Sequence, residues 1–194
     1  RGAGERAVES TTHAIEQTRG VRRDTQVRFK EQTGVALDRD VVDQRNYFYR
    51  GYAWLSKAQL FVLTRSYWSA GRAASHGKDD LERYLEKCPG DADANGALGA
   101  YLYFADAIPG FVKILAKLFF IPSGDREKGL EMLRYATTHE GVLSVDWQFV
   151  LAAVDLVFEG NFEKGAAEFA RLLGDYPYYT RLAEPLVVVA PLYP

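Results

Sequence analysis

The 194-residue sequence predicts an all-α chain, a stack of antiparallel helical hairpins in which each pair leans on the next. Three observations lead there. Apolar residues recur three and four apart through long stretches rich in Ala, Leu, Glu, Arg, Tyr and Phe, the period of an amphipathic helix. A short motif repeats, "GDREKG" at 124–129 and "GNFEKG" at 160–165, starting 36 positions apart. Glycines and prolines punctuate the helical stretches where turns and stops are needed, and alternating strand-like segments are nearly absent. The exception, "LVVVAPLY" near the end, holds Pro191 and follows Pro185 closely, so it reads as an irregular capping segment over 181–194.

The repeated motif looks at first like an active-site loop, with acids and bases packed into six positions. It reads better as a helix start. Asp125 or Asn161 stands where an N-cap accepts from free backbone N–H groups, and Glu127 or Glu163 falls in the first turn, where the helix dipole favours an anion. Arg126 in one copy is Phe162 in the other, an exchange that a helix start tolerates and a catalytic set does not. Each start leads into a helix with small residues on one side, "GLEMLRYA" and "GAAEFARLL", and the second closes at Pro177. Upstream of Gly160, "DWQFVLAAVDLVFEG" supplies the partner helix, making a hairpin of about 34 residues. Gly165 is expected at a close approach between the two helices.

Residues 146–179 resemble the tetratricopeptide repeat, with Phe149, the pair Ala152-Ala153, Leu156, Gly165, Phe169, Leu172 and Pro177 in its positions. A second unit runs through "YLEKCPGDADANGALGAYLYF", where Leu98 and Gly99 match the Leu-Gly pair. Gly99 to Gly124 spans 25 positions where Ala153 to Gly160 spans 7, so this unit carries an insertion of 18 residues at about 106–123. The inserted block, with "IPG", an apolar stretch and "IPSGDRE-GL" in that order, is similar to a set of bacterial tetratricopeptide-like proteins, often exported, and to a eukaryotic outer-membrane-associated helical repeat family. The resemblance covers about residues 46–180. It implies a right-handed α-solenoid of about three units over 41–180, a weak lean toward a periplasmic or envelope location, and work done by offering surface. Upstream, "YFYRGYAWLSKAQLFVL" and "SYWSAGRAASHGKDDLERYLEK" read as a further antiparallel pair, longer than a standard repeat, and residues 1–40 as an Arg-rich region of one or two short helices. The chain opens RGAGER, without Met or a signal-like apolar core, so a removed leader or longer N-terminal region is an expectation.

In a tetratricopeptide-like stack the first helix of each unit lines an inner groove, and the resemblance places Trp147, Val150, Val154, Val157, Phe158, Tyr103 and Phe104 there. Such a groove is apolar and aromatic and lacks the Lys and Arg pairs that clamp a peptide's terminal carboxylate. It would suit a hydrophobic or amphipathic protein segment. The alternative is that the same residues pack against the rest of the chain or a second copy of it.

Other chemistry is thin. Hydrophobic residues make up 47% and charged residues 26%, a globular composition. A net charge of −2 with dispersed Lys and Arg leaves no footprint for nucleic acid. His13, His76 and His139 lack metal-ligand spacing, and the single Cys88 permits neither an intrachain disulfide nor a cysteine metal cluster. "GAGER" at 2–6 lacks the preceding strand that a phosphate loop requires. Asp79, Asp80 and Glu82, and likewise Glu159 and Glu163, are expected on solvated helix faces and helix starts. No catalytic residue, cofactor or metal is assigned, and an enzyme with a site assembled across repeats is a second alternative to the non-enzymatic scaffold. No apolar run approaches the roughly 18 residues a spanning helix requires. In "FVKILAKLFF", Phe111, Ile114, Leu115, Leu118 and Phe119 form one stripe beside Lys113 and Lys117. Packing on the hairpins is preferred to a bilayer-surface role.

Overall fold

The computed structural model describes residues 6, 9–13, 16, 39–107 and 124–177. Every regular element among them is helical, and no strand occurs among the described residues. The elements are α1 (Arg39–Leu63), α2 (Tyr67–Lys87), α3 (Ala92–Asp106), α4 (Arg126–Thr138), α5 (Ser144–Ala153), a π turn (Val154–Phe158) that continues α5, and α6 (Phe162–Asp175). The 1–40 region, the insertion and the 181–194 segment lie wholly or mostly outside the described residues.

Helix ends follow local chemistry. The Asp91 carboxylate accepts from Ala94 N at 2.9 Å to cap α3, and Tyr84 Oη donates to its other oxygen at 2.7 Å. Asp125 caps α4 through Lys128 N at 3.1 Å, as the motif predicts. Asn161 does not cap α6: its amide donates instead to Asp155 Oδ1 at 3.0 Å. The reason lies in Asp155, a buried carboxylate that needs donors and draws both Asn161 and Lys164 Nζ, the latter at 2.7 Å. At the end of α1, Arg65 takes a left-handed φ of 58°. Its N–H bonds to Val62 O and that of Ser66 to Phe61 O, the paired closure that usually places glycine at this position.

Among the described residues the helices meet in three antiparallel pairs. In the first, Phe48 meets Tyr84, Arg50 meets Asp80 and Trp54 meets His76. In the second, Gly99 faces Gly129 and Leu133, while Leu102 O accepts from Asp125 N at 3.0 Å. In the third, Phe149 meets Phe169 and Ala152 meets Gly165. The first helices of successive pairs also touch, α1 with α3 and α3 with α5. Helix α3 is therefore buried on most sides, and Leu98, Leu102 and Tyr103 join Leu81, Leu133, Trp147 and Val154 in one core. A smaller core of Ala152, Leu156 and Phe169 closes the third pair. Asp93 of α3 reaches α5, accepting from Val142 N at 2.9 Å, Leu143 N at 3.0 Å and Trp147 Nε1 at 3.2 Å.

Each pair crosses on a small residue. A Cβ at Gly129 would lie 2.6 Å from Tyr103 N and 2.8 Å from Gly99 O, and one at Gly165 would lie 2.9 Å from Leu156 N and 3.0 Å from Ala152 O. Gly99 and Tyr103 thus stand to Gly129 as Ala152 and Leu156 stand to Gly165. The Leu-Gly pair at 98–99 aligns by these contacts with Leu151-Ala152, one residue earlier than the sequence pattern suggests. In the first pair Gly51 and Gly77 meet, a Cβ on Gly77 lying 3.0 Å from Gly51 O.

Asp80 departs from its expected solvated position. It is buried, held by Arg50 through Nε at 2.6 Å and through Nη2 to the other oxygen. The carboxylate lies on the same stripe as Ala73, Gly77, Leu81 and Tyr84, so it faces α1.

The crossing at Gly165 sets an expectation for stability. Gly165→Leu drives a side chain into the backbone of α5 and should cost about 1–3 kcal/mol, measured as a lower urea midpoint.

Candidate interaction surface

The seven groove residues do not form one surface. Trp147 is 5% exposed, and Tyr103 and Val154 are fully buried, so these three belong to the core. Trp147 fills the space over Gly96, where any Cβ would collide with the indole ring, and Val150 packs at the edge of the same core. For Trp147, Tyr103, Val154 and Val150 the packing alternative describes their surroundings. Phe104, Val157 and Phe158 stand apart, 40%, 62% and 50% exposed.

The π turn separates the two sets. An α-helix carries 147, 150, 154 and 158 along one stripe. Glu159 N bonds instead to Val154 O at 3.0 Å, adding a residue to that turn and rotating the residues beyond it by about 100°. Val157 and Phe158 leave the core as a result. Phe158 then lies edge-on to Phe104 with ring centres 5.5 Å apart and to Tyr103 at 6.1 Å, so rings from the second and third pairs form one aromatic corner.

Beneath the corner lies a polar clamp. Glu159 accepts from Tyr103 Oη at 2.6 Å and from Arg126 through Nε at 2.9 Å and Nη2 at 2.6 Å. The guanidinium also lies 5.8 Å from the centre of the Tyr103 ring. Gly160, at a φ of +70°, turns the chain just after Glu159, and α4 begins at Arg126. Arg126 and Tyr103 together hold the Glu159 carboxyl below its ordinary value of 4.5. Burial and the Glu159 contact push the Tyr103 hydroxyl well above its usual range. A carboxylate with three donors and a lowered pKa is a poor general base, and its bonds tie the start of α4 to the end of the π turn.

Sequence reasoning misses this clamp. Arg126 attracts notice only as the position where the two motifs differ, and Glu159 is 33 residues from it with no pattern linking them. A polar cleft is also new. It measures about 240 Å³ and is lined by Arg50, Trp54, His76, Asp79, Asp80 and Arg83. His76 lies against Trp54 with ring centres 4.9 Å apart and planes tilted by 37°, and Asp80 is already engaged by Arg50. Among the described residues no group of His, Cys, Asp and Glu is placed to hold a metal ion, and no helix is long and apolar enough to cross a membrane. The apolar stretch 111–120 lies outside the described residues.

Two variants test these placements. Trp147→Ala removes a buried indole and should destabilise the chain by about 3–5 kcal/mol, read by thermal melting and not as a change in surface recognition. Glu159 favours the folded state above its ordinary value of 4.5, and that contribution is lost as pH falls through its lowered folded value. The melting-temperature gap between wild type and Glu159→Gln should therefore be widest near neutrality and close on acidification below 4.5. Comparison with family models, curated proteins and solved structures finds no match to this chain.

Proposed function

We propose that the chain is a non-enzymatic scaffold of the helical-repeat kind, a right-handed α-solenoid of three antiparallel hairpins that holds a protein or peptide partner. Arrays of this kind recognise through continuous surface. The observation that carries the reading is the aromatic corner. Phe104 and Phe158 come from successive pairs, and each leaves about half its surface in water next to the exposed Val157. Exposed aromatic side chains held rigid from below lose little entropy when a partner covers them. The clamp of Tyr103, Arg126 and Glu159 supplies that rigidity.

The partner that fits is the apolar face of an amphipathic helix or strand, with a second copy of the chain as one form of it. Nucleic acid does not fit a chain of net charge −2. No cofactor, metal or catalytic residue enters the reading.

The test is peptide display against the immobilised chain, followed by calorimetry on the selected sequences. Selection should enrich amphipathic peptides, and Phe104→Ser with Phe158→Ser should weaken their binding by roughly tenfold or more with the circular dichroism unchanged. Equal affinity for wild type and the double variant would overturn the reading.

A further inference from the structure

The first helix pair is longer than the other two at one end. Helix α2 begins at Tyr67, ten residues before its crossing at Gly77, whereas α4 and α6 begin three residues before Gly129 and Gly165. The excess is two helical turns, or about 10 Å at 1.5 Å per residue. Ala70 and Ala73 of this extension are buried, but all of residues 62–68 at its end are exposed. Its tip is nevertheless apolar: Leu63 is 73% exposed, and Val62, Tyr67 and Trp68 are each about half exposed or more.

Charge points the same way. Residues 44–78 contain no Asp or Glu, in a chain whose acids outnumber its Lys and Arg by 26 to 24. Arg65 and Arg72 fall in the extension or its apex, within about two turns of the tip and close to one Debye length at physiological salt, while Lys57 of α1 donates to Thr12 Oγ1 at 2.7 Å. Arg65 sits at the apex in the left-handed conformation, where glycine would be easier to accommodate. The position thus carries a cation against its local backbone preference. Large apolar residues, Tyr and Trp at an exposed turn, with cations and no acid in the flanking stretch 44–78, are the composition of a surface that enters the headgroup layer of an anionic bilayer.

We propose that the α1–α2 tip docks on the surface of an anionic lipid bilayer, with Val62, Leu63, Tyr67 and Trp68 entering the headgroup region and Arg65 pairing with lipid phosphates. The contact is peripheral: it uses one turn of a hairpin and spans nothing. A single exposed turn does not enclose a peptide, which distinguishes this surface from the aromatic corner, and the proposal does not depend on that corner binding anything.

Co-sedimentation of the full chain with phosphatidylcholine vesicles, with and without phosphatidylglycerol, tests it. The chain should bind the anionic vesicles and leave the neutral ones largely unbound. Raising salt from about 0.05 to 0.5 M should weaken binding. Arg65→Glu should lower the partition coefficient by roughly tenfold, and Leu63→Glu with Trp68→Ser should abolish sedimentation. Positions 63, 65 and 68 lie on the surface, and circular dichroism of each variant checks that the helices are retained. Trp68→Phe should still bind but lose the fluorescence blue shift seen on binding, which places the tip itself in the lipid. Failure to bind anionic vesicles at low salt would overturn the proposal, as would undiminished binding by the tip variants. Concentration-dependent dimerisation abolished by Leu63→Glu, without vesicle binding, would assign the tip to a second copy of the chain instead. The Phe104 and Phe158 variants should sediment like wild type, so failure of either surface can be told from failure of the other.

Discussion

The fold rests on backbone approaching backbone inside each helix pair. At Gly99 and Gly129, and again where Gly165 meets Ala152, one helix lies so close to the next that a carbon added to the glycine would strike main chain or a Cβ fixed to it. Successive pairs are joined separately, where α3 touches α5: Tyr103 reaches Glu159, and Asp93 spans from α3 to Trp147.

Much of this architecture was legible because it is local. A glycine followed by Asp or Asn and an acid in the first turn announces a helix start wherever it occurs, and Pro89 and Pro177 each follow soon after a helix ends. The repeat made Gly165 readable as a crossing, since two copies of one motif imply two copies of one contact. What could not be read depends on distance or on a small departure from regularity. The one-residue widening of the turn after Ala153 leaves no mark in the sequence, yet it takes Val157 and Phe158 off the stripe that Trp147 and Val154 follow into the core. Asp80 looks like one acid in an acidic run until α1 presents Arg50 to it from thirty positions away.

Asp125 and Asn161 show how far sequence equivalence can differ from equivalence of role. Both precede their helices by one residue, and both main-chain N–H groups bond back to a carbonyl of the preceding helical segment, Leu102 O and Asp155 O. Only Asp125 caps, because the second turn contains a buried acid that requires its own donors. Arg126 and Phe162 differ in a related way: the arginine secures Glu159 of the next pair, while the phenyl ring at the matching place remains partly in water.

The reach of Asp93 bears on the order in which the chain acquires its structure. Helix α5 has no side chain of its own to cap its start, and the carboxylate that satisfies Val142 and Leu143 arrives from fifty residues earlier. The loop between them must close before that bond can contribute anything, so the first turn of α5 has little reason to persist until α3 is seated. A chain emerging from the ribosome would therefore gain the third pair late, on a template laid down by the second.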